Sequence, residues 1–365
     1  ENRRELIQAQ DADVFITSYN SARLDIRLYE ETNLDYLVLD EAQFVKNSGT
    51  KTNQSLRKLT PKNTFALSGT PIENRAEELW SIFALVMPGL LPNKRAFNKL
   101  TAEEIAVRVK PFILRREKAA VLKDLPPKVE SNLTNEMTDE QKTVYLAQLK
   151  QMQVKVRGLS SQAFVKNKIE ILAGLTRLRQ ICDTPALYMD DYEGESGKLE
   201  QLNELIRQAV DSDRHILIFS QFTTMLGIIE DELTANGLPT YVLKGDTKPK
   251  DRLDMVDAFN RGEKNIFLIS LKAGGTGLNL TGADMVILVD LWWNPAVEDQ
   301  ATARAHRIGQ KNTVEVYRLI TKGTIEEQIY RLQEKKRNFV DQVLSGTQNK
   351  GSLTDDEIRL ILGIE

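Results

Sequence analysis

Apolar positions along the chain follow two patterns. Some are short, nearly continuous apolar runs. Others recur every three to four residues, as on one face of a helix. Near the N-terminus, Val14-Phe15-Ile16, Tyr36-Leu37-Val38-Leu39 and Thr64-Phe65-Ala66-Leu67 are runs of the first kind. In the C-terminal half, Ile216-Leu217-Ile218-Phe219, Tyr241-Val242-Leu243, Ile266-Phe267-Leu268-Ile269 and Met285-Val286-Ile287-Leu288-Val289 repeat the pattern. Strands that are apolar at every position and alternate with helices belong to parallel sheets covered on both faces. The pattern therefore predicts an α/β fold with two lobes. Between them, residues 73–180 read as helical, broken at Pro88, Pro92, Pro111 and Pro126-Pro127, and residues 138–181 as long amphipathic helices. Residues 190–197 (DDYEGESG) read as an acidic loop, 324–344 as a helix of mixed charge, and Ser352 to Glu357 as the cap and start of a last short helix.

Composition narrows the class. The 365 residues, 41% hydrophobic and 28% charged, are enough for two domains with sizeable cores. No run of 18 apolar residues occurs, so no membrane-spanning helix and no membrane partner is predicted. The opening Glu1-Asn2-Arg3-Arg4 is not followed by the apolar stretch of a secretion signal and has no initiator Met, so the chain is expected to begin inside a longer protein. A single cysteine, Cys182, with two histidines offers neither an internal disulfide nor a Cys/His metal cluster. That usage suits the cytosol or nucleus. The net charge of -3 argues against a small, purely electrostatic DNA-binding domain but allows a large enzyme with a local basic groove, so any DNA contact is expected to come from a local stripe.

Candidate chemistry sits where the runs end. The run at Tyr36 stops at Asp40-Glu41-Ala42-Gln43, at a strand's carboxyl end, where open α/β sheets bind ligands. Two adjacent carboxylates can divide two tasks, one holding Mg²⁺ through water and the other orienting or activating the attacking water. Taken alone, the pair also fits an ordinary solvated strand-to-helix turn. Ser68-Gly69-Thr70-Pro71 follows the next run and offers hydroxyls that could link the acids to neighbouring groups, or a simple turn. Strand 266–270 leads into Leu271-Lys272-Ala273-Gly274-Gly275-Thr276-Gly277, whose glycines permit close approach to a phosphate. It is not a dinucleotide fingerprint, because the third glycine counted from Gly275 would fall at Leu280. After Trp292-Trp293, Asn294 is a helix cap and Pro295 suits the first helical position. The helix is expected to run to Ile308 and stop at Gly309. On it Gln300, Arg304 and Arg307 would share one face, beside an apolar face of Val297, Ala301, Ala305 and Ile308. Two arginines so held suit a γ-phosphate in its transition state, or form a solvated basic face. Trp292 and Trp293 are read as core, or one of them as a stacking surface for nucleic acid.

In this order the segments resemble the Swi/Snf family of superfamily-two helicase-like ATPases over nearly the whole chain. DVFITSYN (13–20) resembles the first-lobe strand motif that touches a DNA strand, LDEAQFVKN (39–47) the Walker B motif and LSGTPIEN (67–74) motif III. SGKLEQL (196–202) resembles the opening of the second lobe, ILIFSQF (216–222) motif IV, LISLKAGGTGLNLTGAD (268–284) motif V and QATARAHRIGQ (300–310) motif VI.

The resemblance implies two RecA-like lobes with parallel sheets, the first incomplete, with ATP between them and double-stranded DNA across both. Its segments would be residues 1–125 (the C-terminal part of lobe one and the start of a helical protrusion), 126–195 (a helical insertion), 196–323 (lobe two) and 324–365 (a C-terminal helical brace). It assigns Asp40 and Glu41 to Mg²⁺ and hydrolysis, Arg304 and Arg307 to arginine fingers with Gln300 beside them, and Gln43, Ser68 and Thr70 to coupling. Asp40, Gly275, Gly277, Arg304 and Arg307 would line the nucleotide. Thr17, Lys46, Asn47, Gln221, Lys272 and Trp293 would lie on the DNA side or in coupling positions. A protein bound to the DNA, displaced or remodelled, would be a further partner. The location would be the nucleoid of a prokaryotic cytoplasm, or a eukaryotic nucleus.

Two features depart from the family pattern. Ala303 stands where the family has Asp, and GxxxxGK[ST] is absent: around Gly197-Lys198, Tyr192 and Leu199 occupy the places of the first glycine and the hydroxyl residue. The first lobe is therefore expected to be truncated and the chain by itself to bind ATP poorly. The short link between lobes resembles a stand-alone microbial member more than a large chromatin subunit. A strand-separating helicase of the same superfamily and a non-catalytic DNA- or protein-binding scaffold remain as alternatives. The form of residues 304–310 favours the translocase, and retention of Asp40, Glu41, Arg304 and Arg307 argues against a scaffold.

Overall fold

The computed structural model describes residues 2–9, 11–69, 76–116, 118–274, 277–345 and 355–364. The chain divides into two compact units, one of residues 1–114 with 336–352 and one of 115–335 with 353–365.

In the first unit, β1 (Tyr36–Leu39) pairs in parallel with β2 (Asn63–Ala66), Tyr36 opposite Asn63 and Leu39 opposite Ala66. The helix Ala76–Val86 packs on two sides, as its spacing dictates. Ile82 and Leu85 join Leu39, Ala42, Val45 and Leu56, while Leu79 and Phe83 join Leu91, Phe97, Ile105 and Val109. The expected strand at Val14-Phe15-Ile16 does not form. Val14 and Ile16 are exposed, and no strand among the described residues pairs with the segment. An apolar run becomes a strand only where a neighbour takes its backbone hydrogen bonds.

The second unit is built on a six-stranded, wholly parallel sheet. Its strands are β3 (Lys128–Asn135), β4 (Ile216–Ser220), β5 (Thr240–Leu243), β6 (Ile266–Ser270), β7 (Met285–Leu288) and β8 (Val314–Thr321), in spatial order β3-β8-β7-β4-β6-β5. Strands β4, β6 and β7 are buried throughout, which explains their unbroken apolar runs. Their side chains divide by alternation. Leu217, Phe219, Phe267, Ile269, Val286 and Leu288 face one cluster, and Ile216, Ile218, Ile266, Leu268, Met285 and Ile287 the other. Each such buried side chain contributes about 1.5–3 kcal/mol.

A third cluster joins the helices Asp139–Arg157, Ser161–Asp183, Ile325–Ser345 and Asp355–Ile361 through residues such as Tyr145, Phe164, Leu178, Ile329 and Ile358. The long helices within 138–181 and the helix after 324 are therefore present as the periodicity predicts. β3 departs from the helical reading of 73–180. Its sequence KVESNLTN has few apolar residues because it is an edge strand, paired among the described residues with β8 alone, from Lys128 opposite Val314 to Asn135 opposite Thr321. No helix among the described residues is long and apolar enough to cross a membrane.

Candidate active site

Parallel pairing brings the ends of β1 and β2 side by side. The ladder continues one step, Leu67 N–H donating to the Leu39 carbonyl at 2.8 Å and Ala42 N–H to the Leu67 carbonyl at 2.9 Å. This places Asp40 and Glu41 against Ser68. Glu41 adopts the left-handed conformation, φ 47° and ψ 53°, which costs a non-glycine residue about 1–3 kcal/mol. The turn is held from several sides. Glu41 N–H donates to Asp40 Oδ1 at 2.9 Å, and Tyr19 Oη donates to the Asp40 carbonyl at 2.6 Å. The Ser68 hydroxyl donates to Gln43 Oε1 at 2.8 Å, and Gln43 Nε2 donates to Glu41 Oε2 at 2.7 Å. Gln43 is buried, so its amide is fixed between its two partners. Asp40 is exposed and Glu41 half-buried. The acid pair thus presents one solvent-facing carboxylate and one carboxylate aimed by a relay.

Burial, then the Asp40 and Glu41 charges, push the Tyr19 hydroxyl up to about 12, so it stays a donor at neutral pH. Thr17 is exposed two residues before Tyr19. Lys46 lies 3.6 Å from Glu78, and exposed Asn47 accepts from Gly49 N–H at 3.0 Å. Thr70 lies outside the described residues.

In the second unit the glycine loop and the arginine segment are laced together. The helix after Trp293 is capped by Asn294, whose Oδ1 accepts from Ala296 N–H, but it spans Pro295–Thr302 and does not reach Ile308. After Thr302 the backbone tightens to i→i−3 bonds, Arg304 N–H taking the Ala301 carbonyl at 3.1 Å and Ala305 N–H that of Thr302 at 3.2 Å. Leu280 N–H takes the Arg304 carbonyl at 3.0 Å, and Gln310 Nε2 takes those of Ala305 at 3.1 Å and Ala283 at 2.7 Å. These bonds tie the turns after the helix to the loop around Leu280 and Ala283. Gln300 stays on the helix, half-buried, while Arg304 and Arg307 sit on the turns beyond, and Ile308 is exposed rather than part of an apolar face. Gly309, at φ 104°, closes the turn. Arg307 Nη1 donates to the Leu278 carbonyl at 3.1 Å, which ties it to the loop after Gly277. Gly275 lies outside the described residues, and Lys272 falls in the short helix Leu271–Gly274 that follows β6.

Lys118 is a residue that the motifs did not indicate. Its ammonium donates to the His306 carbonyl at 3.1 Å. Burial first, then the positive charges of Lys128, Arg307 and Arg304, lower its pKa. His306 Nε2 lies 2.8 Å from the Pro126 carbonyl and therefore carries a proton. Lys118, Arg304 and Arg307 concentrate positive charge around one turn, an arrangement suited to a polyanion such as phosphate.

Gln221 and Trp293 meet at a buried arginine. Arg179 donates to Gln221 Oε1 at 3.0 Å and to the Leu291 carbonyl, and lies 3.5 Å from Asp290. Its guanidinium packs over Phe222, Trp292 and Trp293 at 5.4–6.0 Å from the ring centres. Its signal in the sequence is a charge on the apolar stripe of Ile171, Leu175, Leu178 and Cys182. Lys198 is wholly buried, 2.8 Å from Asp183 and 2.7 Å from Glu326, so the Gly197-Lys198 pair serves packing rather than phosphate.

Residues 1–187 match the model of the SNF2-related domain and residues 197–309 that of the helicase conserved C-terminal domain. The chain belongs to the SNF2-related family. Among its relatives, a putative ATP-dependent helicase/translocase, YwqA, of Bacillus subtilis is 38% identical over 96% of this chain and 40% of its own length. An uncharacterized ATP-dependent helicase of Mycoplasma pneumoniae is 37% identical over 98% of this chain and 35% of its own length. The chain thus spans between about a third and two fifths of these two relatives. The SWI2/SNF2 ATPase core of Sulfolobus solfataricus, solved in complex with double-stranded DNA, matches with a TM-score of 0.55 and 35% identity. That match covers 100% of this chain and 80% of the archaeal one. Membership of this family agrees with the parallel six-stranded sheet and the RecA-like reading of the fold.

Proposed function

We propose that this chain is the motor part of an ATP-dependent double-stranded DNA translocase, which hydrolyses ATP to ADP and phosphate and moves along the duplex. The observation that carries the reading is the relay Ser68–Gln43–Glu41 beside exposed Asp40, in a chain of this family. Glu41 takes the proton of the attacking water as the water oxygen bonds to the γ-phosphorus, and ADP leaves with the bridging oxygen. Arg304 and Arg307 stabilise the charge on the transferring phosphoryl group, with Gln300 beside them. Asp40 fits a Mg²⁺ held through water. Its carboxylate is exposed, and no three His, Cys, Asp or Glu side chains among the described residues form a cage, so the remaining ligands would be water and ATP oxygens. When bound, Mg²⁺ neutralises phosphate charge. Gly275 and Gly277 are assigned to the nucleotide, Gln43, Ser68 and Thr70 to coupling, and Thr17, Lys46, Asn47, Gln221, Lys272 and Trp293 to the DNA side.

The functional segments are proposed as residues 1–125, 126–195, 196–323 and 324–365, acting on chromosomal DNA in a nucleoid or a nucleus, where a protein on the DNA is displaced or remodelled. GxxxxGK[ST] does not occur in the 365 residues, so this chain alone is expected to be inactive. The deciding experiment measures ATPase rate with and without duplex DNA. It uses this chain and the chain joined to whatever its gene encodes upstream. Duplex-stimulated hydrolysis by the longer form alone supports the reading. No hydrolysis by either form favours a scaffold, and efficient release of single strands in a displacement assay favours a helicase.

A further inference from the structure

Tyr19 is used by none of the steps above, yet it touches the acid turn directly. It is the first residue of the helix Tyr19–Leu24, whose N-cap Ser18 accepts from Ser21 N–H. Ser18 therefore fixes where the helix starts and where Tyr19 projects. The tyrosine is half-buried, with its ring 6.3 Å from that of Phe44, and its hydroxyl reaches the Asp40 carbonyl at 2.6 Å. That carbonyl belongs to the peptide joining Asp40 to Glu41, whose left-handed turn sets the direction of both carboxylates. On the other side, Tyr19 is two residues from Thr17, whose exposed segment precedes the helix without pairing to any described strand. A segment outside any ladder can shift, and the capped helix start moves with it.

We propose that Tyr19 is a positioning residue that carries displacement of the 16–18 segment, on DNA binding, to the Asp40–Glu41 peptide and so aligns Glu41 for proton abstraction. The inference rests on the functional reading above. It adds a connection between the DNA side and the acid pair that runs through one hydroxyl. The hydroxyl donates to a backbone carbonyl, so the connection acts by geometry and not by proton transfer.

The test is Tyr19→Phe in the native polypeptide, which keeps the ring and removes the hydroxyl. The readout is the ratio of ATPase rates with and without a linear DNA duplex, because this ratio does not depend on the folded fraction. Thermal unfolding and duplex affinity are measured alongside. The expected result is a ratio reduced about fivefold, the scale of one lost hydrogen bond, with KM for ATP and duplex affinity within about twofold of the parent. A parent stimulated by duplex and a Tyr19→Phe variant with the same ratio overturns the proposal and leaves the functional reading in place. A parent that duplex does not stimulate overturns both.

Discussion

The hydroxyl of Ser68 donates to the side-chain carbonyl of Gln43 at 2.8 Å across 25 residues of sequence. Gln43 passes the constraint on through its amide to Glu41. The arrangement gives Ser68 a role at the acid pair through Gln43. Ser68→Ala leaves a buried Gln43 oxygen without this donor, at a cost of about 1–3 kcal/mol. The expected outcome is a fall in kcat of about fivefold or more with KM for ATP little changed, read from steady-state kinetics on duplex. A variant that raised KM alone would place Ser68 in substrate binding instead.

Replacing Glu41 by Gln tests the base itself. The amide keeps the size and can still accept from Gln43 but cannot take a proton, so hydrolysis should fall by about 10²–10⁴. Replacing Arg307 by Ala should cost about 10³ or more, the scale of a removed arginine finger. Both rates are read in single-turnover assays with a duplex-affinity control. Wild-type hydrolysis by the Glu41→Gln variant would remove Glu41 from the mechanism.

How far these features were legible in the sequence depends on what each one rests on. The unbroken apolar runs of β4, β6 and β7 announced a doubly covered parallel sheet because both faces are buried. β3 did not announce itself, since an edge strand needs only one partner and little apolar surface. Val14-Phe15-Ile16 looked like a strand because composition reports apolarity and not the presence of a neighbour. The helix expected to reach Ile308 ends at Thr302, where the backbone turns to i→i−3 bonds and the turns beyond are tied to Leu280 and Gln310, partners that periodicity does not report. The Asp40-Glu41 pair was visible as residue types, but the left-handed Glu41 and the Tyr19 contact depend on three-dimensional placement.

Lys198 should be among the costliest positions to change. Its ammonium is enclosed by Asp183, Glu326 and the Val289 carbonyl. Lys198→Met leaves two buried carboxylates facing each other without a cation, a loss of about 3–5 kcal/mol. Gly197→Ala beside it should also destabilise by several kcal/mol, on the order of 3, because its Cβ would lie 1.9 Å from the Glu136 carbonyl oxygen, which is backbone. Thermal melts should show losses on the order of 10 °C for either variant. Near-parental melting of Lys198→Met would mean that the carboxylates take up protons at little cost.

The edge of the large sheet carries a pH-dependent contribution. Glu130 on β3 lies beside Lys128 and 2.6 Å from Arg318 on β8, which also meets Glu298 at 3.2 Å. Burial alone would raise the Glu130 carboxyl, but the Lys128 ammonium and the Arg318 guanidinium outweigh it and bring the group from its ordinary 4.5 down to about 2. A carboxyl with a depressed folded-state pKa binds fewer protons folded than unfolded, so its contribution is full above the unfolded value. That contribution is lost as pH falls from about 4.5 toward about 2. Glu130→Gln should therefore lower stability at pH 7, by about 1 kcal/mol once solvent screening of this partly exposed carboxylate is counted, and its deficit should narrow as the medium is acidified below about pH 5. Paired melts of parent and variant at stepped pH measure that gap. A deficit that stayed constant, or widened on acidification, would show that the pair contributes through packing and not through charge.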